Sequence, residues 1–368
     1  MPTIVSQPRR APPRFVVSAV LAMHRRLTAF VESLVPAPLA VLDKGFGYTR
    51  TILLGAAARH CVADLLGNGP RSAEQIAAEL GTDPETTYRM MRALVSFGVF
   101  ALTDDLRFEN NRQSDALRSG AQGDPRSLLE YLGSVSNLLA WADFETTLRT
   151  GKTAFDRVHG VSVWDWFEKH PHEGTVFAAS MNAATEMDAP AIAAAWPFGT
   201  LDVLCDVAGG RGALLSEILL HHPHTRGVLV DSAHVLAQAG EYLESRGVAG
   251  RVERVPANFF EAIPVRADGF VLKDILHDWD DARSGRILGN VRKASRDGTR
   301  LFIAETVLER ASTEHPGPLM DLHMLMVCGE GRQRSREEFA VLLGKAGFRL
   351  DEVIPLAGFS SLVVATAV

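Results

Sequence analysis

The chain has 368 residues, 46% of them hydrophobic and 22% charged, with a net charge of −6. That is enough for two domains with full cores, and the acidic balance gives no general reason to bind nucleic acid or an anionic membrane. No uncharged apolar run approaches the ~20 residues of a membrane helix, and three scattered cysteines (Cys61, Cys205, Cys328) without paired metal spacing fit a reducing cytoplasm better than a disulfide framework.

Residues 1–14, with Pro2, Pro8, Pro12 and Pro13, read as a disordered tail. Residues 1–31 hold Arg9, Arg10, Arg14, Arg25 and Arg26 and no acid, around apolar Phe15 to Met23. His24-Arg25-Arg26 stands where a secretory signal needs small residues, and an organelle transit peptide is the lesser reading. From Val16 to Ala58 the pattern is helical, broken near Pro36 and Pro38. Ser72 caps a helix that ends at Gly81, and Asp83, with Pro84 at the first position, caps another that runs to Gly98. Val99 to Leu102 and Arg107-Phe108, around Asp104-Asp105, make a short hairpin. Residues 15–111 therefore read as a winged-helix-like domain. Used on DNA, it would read the groove with Thr82–Gly98. That helix carries Arg89 and Arg92 against Asp83 and Glu85, and no basic strip, so dimerisation is the better account.

Residues 112–196 read as a helical connector that contributes to a substrate pocket, with a linker-like break at 120–125. From 197 to 368 strands expected at 201–207, 226–231, 251–256, 268–275, 299–308, 347–354 and 360–367 alternate with helices near 212–221, 233–246, 282–296 and 335–346. The expected class is therefore α/β, a doubly wound, mostly parallel sheet. His221-His222-Pro223-His224 is read as histidines at a helix C-terminus, favoured by the dipole, and no metal site is expected. Thr150-Gly151-Lys152-Thr153 lacks the first glycine of a phosphate loop.

Three features carry chemistry. Asp206-Val207-Ala208-Gly209-Gly210-Arg211-Gly212 is a glycine turn after a strand, and Asp231 closes the next strand, placed to hold a ribose. Lys273 is an isolated charge in an apolar strand and needs a partner, which the cofactor region could supply. His277, in Leu276-His277-Asp278-Trp279, puts an imidazole that is mostly neutral at pH 7 at a strand end. Together they suggest a nucleotide-containing cofactor beside a general base.

At these residues the chain resembles the S-adenosylmethionine-dependent O-methyltransferases that include plant caffeate, hydroxyindole and bacterial anthracycline enzymes. The resemblance runs from about Ala56 to the C-terminus and is strongest from Leu201 onward. It implies a class I methyltransferase sheet of seven strands, a homodimer, S-adenosylmethionine without a metal, and methyl transfer to a hydroxyl of a small, aromatic metabolite. It assigns Asp206, Gly209, Gly210, Gly212, Asp231, Asn258, Phe259, Lys273 and Trp279 to the cofactor, Met181 and Met324 to the acceptor, and His277 to the base. Family enzymes orient that histidine with two acids; Glu305 matches the first and Gln333 stands at the second. Ala208 replaces a glycine, which is tolerable only if φ stays below zero, and Asn258 replaces an acid, its amide oxygen still able to accept from an amine. A neutral amide at 333 cannot stabilise an imidazolium as a carboxylate does. Gln333 leaves open a relative that binds the cofactor but hydroxylates or rearranges its substrate. The winged helix leaves open a ligand-sensing regulator.

Overall fold

A computed structural model describes residues 13–121, 125–313, 316–356, 358 and 360–368. Nearly all of the tail expected at 1–14, and residues 122–124 of the expected linker break, lie outside the described residues. The chain divides into two compact units, one of Met23–Ala142 with Trp164–Met187, the other of Asp143–Val163 with Asp188–Val368 and the start of the first helix. Among the described residues, no helix is long and apolar enough to cross a membrane.

In the first unit local signals set the boundaries. Ser72 accepts from the Gln75 N–H while the Gln75 side chain accepts from the Ser72 N–H, a reciprocal cap on the helix Ala73–Leu80. Gly81, at φ 65°, closes that helix. Asp83 accepts from the Thr86 N–H at 2.8 Å and caps Pro84–Ser96. With Gly47–Arg59 these helices pack Ile76, Met91 and Leu94 against Phe100 and Phe108. Strands β1 (Ala101–Leu102) and β2 (Phe108–Glu109) pair antiparallel as the wing.

The second unit is built on β3 (Val203–Val207), β4 (Arg226–Asp231), β5 (Val252–Pro256), β6 (Gly269–Lys273), β7 (Arg300–Glu305), β8 (Phe348–Pro355) and β9 (Ser361–Ala367). The sheet order is β5-β4-β3-β6-β7-β9-β8, parallel except that β9 runs against both neighbours. Successive residues alternate between two cores: Cys205, Phe270 and Leu272 face one, Leu204 and Val271 the other. Both faces are therefore covered, as the near-continuous apolar strands require. The expected strands match within about two residues at most ends. The expected strand 268–275 stops at Lys273, where Asp274 turns to φ 53°, and the exception is 299–308, which ends at Glu305. A helix not expected from the sequence, Gly317–Val327, follows Pro316 and is apolar on most of its surface.

The strand order reverses between β3 and β6, so their C-terminal ends open a crevice where ligands bind in such sheets. The helix Ala213–His221 leaves that edge directly after the glycine turn. Its buried Glu217 is paired with Arg246, just past the helix Ala233–Ser245, with side chains 3% and 10% exposed. Arg246→Met should lower stability by about 3–5 kcal/mol, because it takes the permanent cation from the buried Glu217 and leaves His221, 3.2 Å away, facing it. Arg246→Met combined with Glu217→Leu should recover most of the loss in thermal melts. A double variant as unstable as the single one would show that the pair's charge is not what matters.

Candidate active site

After β6 the chain reverses through Asp274, and three consecutive N–H groups point at the end of the neighbouring strand. Glu305 Oε1 accepts from Ile275, Leu276 and His277 at 3.2, 2.6 and 3.4 Å. Glu305 is 1% exposed. It was expected to orient the imidazole; instead it binds the backbone that carries it, because the turn leaves those three donors otherwise unpaired. Its Oε2 has no hydrogen-bond partner among the described residues. Burial raises its pKa despite His277 and Arg334.

The segment 331–334 closes the turn from the other side. Arg332 donates its N–H to the His277 carbonyl at 2.8 Å. A Cβ on Gly331 would lie 2.7 Å from that same oxygen, so only glycine permits the approach. Arg334, fully buried, donates to the carbonyls of Leu276 and Trp279 at 2.8 Å each and to Asp281. Nothing in the sequence marked Arg334, which sits in a charged run that reads as surface.

His277 is 8% exposed. Gln333 sets its amide nitrogen 3.1 Å from Nδ1, with its amide oxygen unpartnered among the described residues, so position 333 faces the histidine. An amide can either donate to that nitrogen or accept from it, and only the second leaves Nε2 free to take a proton. Asp278, a residue the sequence reading did not single out, places Oδ1 3.5 Å from Nε2. Burial alone would lower the imidazole's pKa, but Asp278, Glu305 and Asp274 outweigh it and the net shift is upward. His323 is pushed down to about 4 by burial and by His277, so it stays neutral.

At the end of β3 the chain turns through Ala208 at φ 57°, contrary to the expectation of a negative φ. The Ala208 N–H is held by the Val230 carbonyl at 2.7 Å, and the chain must reverse at once into Gly209, Gly210 and Gly212. A left-handed alanine costs about 1–2 kcal/mol, strain of the kind stored at functional sites. Asp231 does not cap the next helix; Ser232 does. Asp231 instead accepts from the Gly210 N–H at 2.9 Å and the Ser232 N–H at 2.7 Å, tying the two strand ends together and keeping lone pairs for a diol.

Asp206 is 1% exposed, and its Oδ2 has no hydrogen-bond partner among the described residues. Burial first, then Asp231, pushes its pKa up to about 7. A buried carboxylate oxygen with nothing to accept from fits a cationic, amine-bearing cofactor such as S-adenosylmethionine.

Other expected cofactor residues have different contacts. Lys273 is paired with Asp274 and lies 3.6 Å from Asp188, so two protein carboxylates already meet its charge. Two carboxylates were needed to hold a buried ammonium charged, and its pKa is raised despite burial. Asn258 is exposed, and its amide oxygen accepts from the Phe260 N–H at 3.0 Å, forming the turn after β5. Phe259 and Phe260 pack on the sheet core, and Trp279 meets Phe260 edge-on at 4.9 Å. Met181 lies on the helix Pro171–Ala195 in the first unit; Met324 is buried on Gly317–Val327 in the second.

Known proteins resemble this chain in sequence and in fold. The family model of the O-methyltransferase domain matches residues 141–349, and that of the O-methyltransferase dimerisation domain matches 43–120. A phenazine O-methyltransferase of Lysobacter antibioticus is 35% identical over 331 residues, covering 90% of this chain and 96% of the relative. The crystal structure of LaPhzM superposes with a TM-score of 0.87 at 35% identity, covering 91% of this chain and all of that one. NcsB1, an O-methyltransferase from neocarzinostatin biosynthesis solved with S-adenosylmethionine and 2-hydroxy-5-methyl naphthoic acid, gives 0.74 at 29% identity, covering 87% and 96%.

The raised pKa of Asp206 has a measurable sign. The folded protein binds that proton more tightly than the unfolded chain, so charging Asp206 as pH rises from 4 through about 7 costs stability. Asp206→Asn should leave the melting temperature of the cofactor-free protein nearly unchanged at pH 4 and raise it increasingly up to about pH 7, above which the difference levels off. It should also weaken S-adenosylmethionine binding in calorimetry. A melting difference that does not vary with pH would contradict the assignment.

Proposed function

The chain belongs to the O-methyltransferase family and is an S-adenosylmethionine-dependent O-methyltransferase, and on that premise we propose that His277 is its general base and a hydroxylated aromatic metabolite its acceptor. The observation that carries this reading is the buried imidazole at the end of β6, its backbone clamped by Glu305 and Arg334, with Nδ1 against the Gln333 amide; that amide, turned to accept, leaves Nε2 for a proton. The fused aromatic ligand of NcsB1 and the phenazine named for the Lysobacter enzyme support a fused or substituted aromatic acceptor. Nothing favours hydroxylation, rearrangement or DNA binding over methylation.

S-adenosylmethionine, when bound, supplies an electrophilic methyl group on a sulfonium. Asp206, the turn Gly209–Gly212 and Asp231 would hold it, with Phe259 and Trp279 as apolar walls. His277 Nε2 takes the acceptor's hydroxyl proton while Gln333, turned to accept, fixes the proton on Nδ1. The hydroxyl oxygen gains the methyl carbon, and the imidazole ends the step charged. Neutralisation of opposite charges on transfer is favoured in a site closed to water, and holding both reactants in place supplies much of the acceleration.

The homodimer is part of the same proposal. The helix Ala37–Gly45 buries none of its residues, and Leu27, Phe30, Val31, Leu34 and Leu42 are all more than half exposed. Apolar side chains exposed in this number call for a covering partner, and the adjoining dimerisation domain supports a second copy in that role. We read 15–111 as that domain, 112–196 as the connector and 197–368 as the catalytic domain. A cytoplasmic enzyme suits three cysteines held as free thiols.

His277→Ala should lower turnover by about 10²–10⁴-fold on whichever hydroxyphenazine or hydroxynaphthoic acid accepts labelled methyl from S-adenosylmethionine, with cofactor affinity unchanged. Turnover above about a third of wild type on a weakly acidic phenol would refute the general base. Leu27→Glu with Phe30→Glu should convert a dimer to a monomer in light scattering; a wild type that is already monomeric would remove the dimer.

A further inference from the structure

Neither position expected to bring an acid to the imidazole sets a carboxylate against its ring nitrogens. Glu305 Oε1 is engaged by three backbone N–H groups, and position 333 carries an amide. The groups around His277 are Lys273 and Asp274 at the end of β6, Glu305 on β7, His323 on the helix Gly317–Val327, Gln333, and its own neighbour Asp278. Among the described residues, Asp278 is the carboxylate within 4 Å of the ring, with Oδ1 3.5 Å from Nε2 and its side chain 15% exposed. Cys328 hydrogen-bonds to it, and its N–H is held by the Ile275 carbonyl at 3.3 Å.

We propose that Asp278 is the positioning carboxylate of the base: it stabilises the imidazolium formed at His277, a task the family resemblance assigns to the position that here holds Gln333. This rests on His277 being the base. At 3.5 Å the contact is long for a hydrogen bond to a neutral ring but within ion-pair reach, so it strengthens as the proton arrives. Interactions that grow towards the transition state accelerate the step, whereas uniform ones do not. The proton balance is simple. The acceptor O–H bond breaks towards Nε2, the O–C bond forms, and the S–C electron pair stays on sulfur. The proton then rests on the His277–Asp278 pair until solvent removes it. Burial, with Glu305 and Asp274, pushes Asp278 up to about 7 against the pull of His277, so the two groups titrate as a coupled pair.

The test compares wild type, Asp278→Asn, Gln333→Glu and the double variant in the full chain. The His277 ring is titrated by NMR in the S-adenosylhomocysteine complex, and kcat and KM are measured on the panel acceptor that wild type methylates fastest. Asp278→Asn should lower the His277 pKa by about 1 unit and kcat by about tenfold, with KM and cofactor affinity little changed. Adding Gln333→Glu should return both pKa and kcat to within about threefold of wild type, since a carboxylate at Nδ1 replaces the one lost at Nε2. An unmoved His277 pKa in Asp278→Asn, or a kcat loss that Gln333→Glu does not restore, overturns the proposal. Undiminished turnover in His277→Ala marks the failure of the base reading itself, and Asp278 falls with it.

Discussion

The site depends on one clamp. The turn 274–279 presents N–H groups to one side and carbonyls to the other, and each set meets a single buried charge. Glu305 collects the donors, and Arg334 collects the carbonyls of Leu276 and Trp279. Charged groups make the stronger hydrogen bonds, and leaving either set unpaired in a buried turn would cost about 1–3 kcal/mol per group. The imidazole is thus placed by its backbone rather than by a partner on its ring. This frees the ring's own contacts, Gln333 on Nδ1 and Asp278 near Nε2, to set its protonation.

A second constraint is charge. Asp206, Asp231, Asp274, Asp278, Asp188 and Glu305 are largely or wholly out of solvent, and burial works against ionisation in each. Lys273 offsets Asp274 and Asp188, and its pairing holds the first below and leaves the second above the ordinary carboxylate range. Asp206 makes no salt bridge among the described residues, though Lys273 pulls its pKa down, and it keeps an unpaired oxygen. The strained Ala208 and Asp274 lie at the ends of β3 and β6, on either side of the crevice where the sheet order reverses. Strain and excess negative charge therefore coincide at the crevice that the proposal gives to the cationic cofactor.

Much of the fold was legible because its signals are local. Caps at Ser72 and Asp83, apolar runs bounded by glycine and acid, and the strand–helix alternation after 197 are written within a few residues of each element. The helix Gly317–Val327 was not, since Pro316 and Pro318 obscure its start and its apolar surface shows no single stripe. Within the site, His277 and the glycine turn announced themselves by residue type. Glu305 was found, but its target was misread, because a carboxylate's choice between an imidazole and three N–H groups is made by tertiary geometry. The partners of Lys273 include Asp188, 85 positions away in the chain (273 − 188), and no spacing rule reaches that far. Ala208 was expected at negative φ from intrinsic preference alone, which the pairing with Val230 overrides.

The central claim is that the acceptor hydroxyl meets Nε2 of His277 at the mouth of β6. A crystal structure of the complex with S-adenosylhomocysteine and a methyl-accepting hydroxynaphthoic acid or hydroxyphenazine tests this most directly. The account predicts the reacting oxygen within ~3.2 Å of Nε2, with Nδ1 still against Gln333 and Asp278 on the same side of the ring. An acceptor whose oxygen is held by another side chain, with Nε2 turned away or filled by a fixed donor, would contradict it.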